Sequence, residues 1–118
     1  MAEHNVAGQE GEALAAAYFK EKGYQILHQN WRYSRYEIDL IALHNGKLHF
    51  IEVKYRSSKS FGMPEEKVTA RKFRFLTLAA DEFLYRHPEY KYIQFDILSI
   101  NKRGFEDPDY FLIEDIYF

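Results

Sequence analysis

The chain has no cysteine among its 118 residues. Neither a disulfide framework nor a thiolate metal site can be built, and the composition is compatible with a reducing cytoplasm, where we expect the protein. Hydrophobic runs are short. None approaches the ~18 apolar residues of a spanning helix, so no membrane partner is expected. The start, Met1-Ala2-Glu3-His4-Asn5, lacks a basic segment followed by an apolar run, and no signal peptide is read there. The five histidines (His4, His28, His44, His49 and His87) show no i, i+4 pair, which removes the zinc-helix signature. There is no G-x-S-x-G elbow, Walker loop or G-x-G-x-x-G turn, and Gly8-Gln9-Glu10-Gly11 is too short and polar to cradle a phosphate.

Net charge is also small, at -2, but it is unevenly placed. Residues 54–74 carry Lys54, Arg56, Lys59, Lys67, Arg71, Lys72 and Arg74 against Glu65 and Glu66, a net +5. Residues 104–118 carry Glu106, Asp107, Asp109, Glu114 and Asp115 with no base. Such a basic sector can bind a polyanion locally, or it can be a solvated face. At 47% hydrophobic and 18% aromatic, the chain supports a real core, and its length suits one domain over 1–118.

Periodicity gives the order α-β-β-β-α-β-β. Leu14, Ala15, Tyr18, Phe19 and Lys22 share a face of a helix over 8–22, closed by Gly23. Tyr24 to Trp31 has β character, and Tyr33-Ser34-Arg35 is a polar connection. Strands follow at about 36–44 and 47–55, and Ser57–Gly62 reads as a loop. A second helix starts near Pro64 and runs to about Arg86, with Val68, Leu76, Ala79, Phe83 and Leu84 as its apolar stripe. Tyr90 to Ile100 reads as a strand, and Tyr110 to Tyr117 as another. A helix between the 47–55 and 90–100 strands is a crossover, so those two strands should be parallel. The expected fold is an α/β mixed sheet flanked by helices.

The sharpest chemical signal is a hairpin. Glu37-Ile38-Asp39-Leu40-Ile41-Ala42 and Phe50-Ile51-Glu52-Val53-Lys54 flank Asn45-Gly46, a strong two-residue turn signal. With Asn45 and Gly46 central, His44 faces Lys47, Asp39 falls opposite Glu52, and Glu37 opposite Lys54. Like charges across a ladder repel. A divalent cation offsets that repulsion, and magnesium uses one or two protein carboxylates, completing its shell with water and phosphate oxygens. Asp39 and Glu52 would hold Mg²⁺ or Mn²⁺, with the carbonyl of Val53 as a further ligand. Lys54, on the same strand face as Glu52, would orient or help deprotonate a water, or stabilise a pentacovalent phosphate. This is the equipment of phosphodiester hydrolysis. The structural alternative is an exposed sheet face on which Lys54 merely pairs with Glu37.

Other residues have two readings each. Glu12 could reach the metal or its water, or simply favour the helix dipole. Lys72 sits at helical spacing inside the apolar stripe, so it must snorkel or meet an anion. Glu65 could reach the site from a loop–helix junction, or serve the helix start. Asp96, in an apolar strand, reads as hydrogen-bonded structure. Arg32, Arg35, Arg56 and Lys59 flank the hairpin and could contact phosphates. Trp31, Tyr33, Tyr36 and Phe61 could stack bases, although most aromatics in this chain must be core.

Together, Gly8-x-x-Gly11-Glu12, Asn30-Trp31-Arg32, Glu37-Ile38-Asp39-Leu40-Ile41-Ala42, Glu52-Val53-Lys54-x-Arg56, Phe61-Gly62-x-Pro64-Glu65, Lys72 and Phe95-Asp96 form an ordered pattern over roughly 8–100. This pattern resembles the YraN-like family of small bacterial proteins, which is similar to PD-(D/E)XK nucleases and archaeal Holliday-junction resolvases. The resemblance implies a restriction-endonuclease-like fold. It implies Asp39, Glu52 and Lys54 as the nuclease motif, with Glu12 as the accessory helix acid, and it strengthens Lys72 and Glu65 as site residues. Tyr36 replaces the family's usual glycine, and Gln94 its usual arginine. The resulting expectation is a nuclease acting on DNA, with branched or recombination intermediates among the candidate substrates. Cutting both strands of a junction would call for a homodimer. The alternatives are a catalytically silent nucleic-acid-binding module of the same fold, or an interaction protein using an aromatic surface.

Overall fold

A computed structural model describes residues 6–57 and 70–116. Helix α1 (Val6–Glu21) is followed by strands β1 (Gln25–Tyr33), β2 (Tyr36–His44) and β3 (Lys47–Ser57). Helix α2 (Ala70–Arg86), β4 (Ile93–Lys102) and β5 (Asp109–Ile113) complete the order. The strands form one sheet in the sequence β1-β2-β3-β4-β5. β3 and β4 run parallel and the other neighbours are antiparallel. The mixed α/β sheet and the parallel crossover are therefore as expected. Among the described residues no helix is long and apolar enough to cross a membrane.

Alternation along the strands separates two cores. Leu40, Ala42, Ile51, Leu98 and Ile100 pack with Ala15 and Phe19 of α1. Ile41, Leu48 and Phe50 pack with Leu76, Ala79, Ala80 and Phe83 of α2. A helix thus covers each face of the sheet. Gly11 is what lets α1 lie close to β3, because a Cβ there would sit 2.7 Å from Cβ of Tyr55. At the other end of α1, Gly23 takes φ 92°. Its N–H donates to Lys20 O at 3.0 Å, and that of Tyr24 to Phe19 O at 2.9 Å.

The β2–β3 turn has φ 52° at Asn45 and 76° at Gly46, both positive as a type I′ turn requires. Several boundaries shift. β1 runs on to Tyr33, which pairs with Tyr36 across a tight Ser34-Arg35 turn. β3 extends to Ser57 because its last residues pair with β4 through Ser57–Lys102. β4 begins at Ile93, not Tyr90, since residues 87–92 turn the chain back after α2. β5 ends at Ile113, not Tyr117, as Asp115 turns to φ 58° and gives its N–H to Asp96. The expected helix start at Pro64, the stripe residue Val68, and Lys59, Phe61 and Glu65 lie outside the described residues.

Candidate active site

The β2–β3 ladder keeps the expected register from His44–Lys47 to Leu40–Ile51 and ends there. Asp39 and Glu52 come next on their strands, so they are not ladder partners as expected, and neither are Glu37 and Lys54. Two desolvated carboxylates repel, and the strands give up regular pairing where these meet. Asp39 instead accepts the Val53 N–H on Oδ2 at 2.7 Å. One side-chain oxygen thus replaces a backbone acceptor and fixes the carboxylate. On its other side Glu37 meets β1, where it pairs with Arg32 at 3.5 Å.

Beyond the last paired residues lies a cleft of about 210 Å³. Asp39, Glu52, Glu37 and Lys72 line it, with Arg35, Tyr36, Phe75, Leu76 and Ile116. Burial pushes the Asp39 carboxyl up to about 8, helped by the charge of Glu52 and opposed by the Val53 N–H. Glu37 and Glu12 add smaller upward pushes. Burial raises Glu52 as well, against the pull of Lys54 and then Lys72. At Glu52 desolvation thus outweighs the pull of both lysines.

The expected residues divide clearly. Asp39, Glu52 and Val53 are in contact or neighbouring, and Lys54 and Lys72 are near enough to act on Glu52. Glu12 is half-buried and felt at Asp39 only as the weakest of its neighbours. Lys72 is an exposed residue, not part of the apolar stripe. It lies one turn ahead of Leu76, where α2 overhangs the cleft rather than the sheet. Arg32 stands on the β1 edge, engaged by Glu37, and Arg56 is half-buried on β3 outside the cleft lining. Glu65 lies outside the described residues. Among the described residues, no three His, Asp or Glu side chains converge on one point.

Sequence reasoning named Arg35 and Tyr36 but missed Phe75, which completes one wall of the cleft. The rings of Tyr36 and Phe75 lie 5.1 Å apart, tilted by 37°. Arg35 lies 5.5 Å from the Tyr36 ring and Arg71 5.5 Å from the Phe75 ring. Arg71, Lys72 and Phe75 at i, i+1 and i+4 carried the signal on α2, but nothing in the sequence brings that turn against Tyr36. Asp96, read as structural, is fully buried and receives the His49 ring, Gln94 Nε2 and the Asp115 N–H.

A model of an uncharacterised protein family, UPF0102, matches residues 11–100. A UPF0102 protein of Phocaeicola vulgatus is 42% identical over 100 residues, covering 85% of this chain and 83% of the relative. UPF0102 protein BF0634 of Bacteroides fragilis is 39% identical over the same length and shares. A UPF0102 protein of Chlorobium chlorochromatii is 44% identical over 94 residues, 80% of this chain and 73% of the relative. These matches bear out the resemblance read from the motifs.

Proposed function

The chain belongs to the uncharacterised protein family UPF0102, and we propose that it is a divalent-metal-dependent nuclease hydrolysing phosphodiester bonds in DNA. The observation that carries this reading is the desolvated Asp39–Glu52 pair at the end of the hairpin ladder, lining a cleft walled by Lys72, Arg35 and two aromatic rings. A half-buried carboxylate pair with all-oxygen donors, lining a cleft, fits a hard divalent cation. Asp39 and Glu52 would hold Mg²⁺ or Mn²⁺, and Val53 would add its carbonyl. Bound there, the ion supplies Lewis acidity toward a phosphate oxygen and lowers the pKa of a coordinated water.

The chain's own groups do the rest. Val53 N–H locks the orientation of Asp39. Lys54, close enough to Glu52 to pull on its charge, would orient the attacking water, take its proton or stabilise the charge that develops on the phosphoryl oxygens. Lys72 adds a second positive charge from α2. Arg35 and Arg71, backed by Tyr36 and Phe75, would grip the strand beside the scissile bond. Glu12 keeps an accessory role through its field at Asp39.

The test is calorimetric titration of Mn²⁺ or Mg²⁺ into wild type and Asp39→Asn with a short duplex present, followed by cleavage assays on linear, single-stranded and branched DNA. Saturable metal binding lost in the variant, with metal-dependent cleavage, is the expected outcome. Wild-type cleavage rates in clean Asp39→Ala and Glu52→Ala preparations would overturn the reading. Salt-sensitive DNA binding without metal or cleavage would replace it with a binding module of the same fold.

A further inference from the structure

A larger cavity, about 780 Å³, opens on the α1 face at the hairpin-turn end of the sheet, past the last turn of α1. Lys22, His44, Lys47, His49, Gln94 and Glu114 supply its polar lining. Part of this lining is rigid. His49 is 4% exposed and places Nδ1 2.7 Å from Oδ2 of Asp96, which is wholly buried. Gln94 Nε2 donates to the other Asp96 oxygen at 3.0 Å. A carboxylate offers only acceptors, so the Nδ1 of His49 carries a proton. The nitrogen left to the cavity is Nε2. Parallel β3–β4 pairing sets this arrangement, since His49 is the register partner of Gln94 and Ile51 that of Asp96.

The chemistry of the lining selects a ligand class. Two ammonium groups and two imidazoles face one carboxylate, that of Glu114. Metal chelation is not favoured, because no three ligand side chains converge among the described residues. Base stacking is not favoured either. The Tyr18 ring is stacked on Tyr110 at 4.8 Å and carries Lys22 Nζ 4.9 Å from its centre. The Tyr24 ring is stacked on His44 at 4.0 Å, with only 6° between the planes. The carbonyls that end α1 would repel an anion, but those of Phe19 and Lys20 are occupied by the Gly23 and Tyr24 N–H groups. The cavity suits a compact oxyanion that can meet two separated ammonium groups and offer a hydroxyl to an imidazole acceptor.

We propose that this cavity is a second ligand site, distinct from the carboxylate cleft, that binds a phosphate group held by the ammonium groups of Lys22 and Lys47, with a P–OH of the phosphate donating to the Nε2 of His49. The inference stands apart from the nuclease reading, as no residue is shared between the two linings. Free inorganic phosphate and the terminal phosphate of a nucleic-acid strand present the same chemistry.

The experiment is NMR titration of the full chain, following the His49 imidazole and backbone amides, at constant ionic strength and without divalent metal. The probes are inorganic phosphate, a short 5′-phosphorylated oligonucleotide and the same oligonucleotide without its phosphate. Expected is a saturable His49 shift with phosphate, weakened roughly tenfold in Lys22→Ala/Lys47→Ala, whose exposed side chains leave the fold intact. Glu114→Gln should tighten binding severalfold by removing the opposing charge. Preference for the 5′-phosphorylated strand over free phosphate identifies a strand end as the source, and the reverse identifies the free ion. No saturation at tens of millimolar phosphate, or equal binding in the double-lysine variant, overturns the proposal.

Discussion

The two faces of the sheet each carry an acid, Asp96 on the α1 side and Asp39 on the α2 side, and the two are treated in opposite ways. Asp96 spends its oxygens on fixed donors: the His49 ring, Gln94 Nε2 and the Asp115 N–H. Asp39 receives one N–H, from Val53, and otherwise meets the field of Glu52, which pushes it the same way as its burial does. A satisfied buried carboxylate is a structural fastener. A carboxylate held without enough partners, beside another, is an incomplete coordination shell facing a cleft. The contrast separates what the fold needs from what the chemistry needs, and each member can be tested by removing it.

The largest effect should come from Asp96. Asp96→Ala strands three donors at a wholly buried position, and breaking such a network should cost about 3–5 kcal/mol. In a chain of this size that lowers the thermal midpoint by on the order of 10 °C or more. Scanning calorimetry measures it. A fall of only one or two degrees would mean that Asp96 is no fastener and that the contrast fails on that side.

Next in size is the loss of activity at the other pair. Glu52→Gln and Asp39→Asn keep shape and, for Asp39, an acceptor for the Val53 N–H. Each should lower metal-dependent cleavage by roughly 100-fold or more while leaving circular dichroism unchanged. Loss of fold in these isosteric variants would place Asp39 and Glu52 with Asp96 as structural groups.

The same variant has a smaller and less obvious consequence for stability. Asp39 is pushed up to about 8 in the folded chain, against an ordinary 3.8. A group raised on folding binds more protons folded than unfolded, so its contribution is whole below pH 3.8 and is lost as pH rises toward and through about 8. Metal-free wild type should therefore lose stability between pH 5 and pH 8.5 more steeply than Asp39→Asn. At pH 8.5 the variant should melt higher by on the order of 5 °C. Added Mg²⁺ should narrow that gap by stabilising wild type alone. A parallel decline in both proteins would show that Asp39 is not held against ionisation.

Much of this contrast could be read before the structure, and the reasons are local. Asn45-Gly46 fixed the hairpin register, and alternation then put Asp39 and Glu52 near each other. The α2 crossover made β3 and β4 parallel. What could not be read depended on where paired strands stop and which turn of a helix overhangs an edge. The end of the ladder at Leu40–Ile51, the exposure of Lys72 and the meeting of Phe75 with Tyr36 are tertiary facts. Asp96 was legible as structure from its apolar strand, but its partner His49 was not, because that pair joins residues 47 apart.

The smallest effect concerns what the cleft admits. Duplex DNA keeps its base faces stacked inside, so an aromatic wall gains little from it, whereas an unpaired base can lie on a ring or a guanidinium. Tyr36 and Phe75 are half-buried and flanked by Arg35 and Arg71, so their rings add stacking surface beside the carboxylates. Tyr36→Ala should weaken single-stranded binding by about 1 kcal/mol, roughly fivefold, and duplex binding by less. Fluorescence anisotropy with Ca²⁺ in place of Mg²⁺, to hold the complex uncut, measures both. Equal losses on the two substrates would make the wall a general phosphate grip supplied by its arginines. A loss confined to the single strand would mean that the site selects unpaired nucleotides, as at the branch point of a junction, while Asp96 on the opposite face of the sheet plays no part in choosing them.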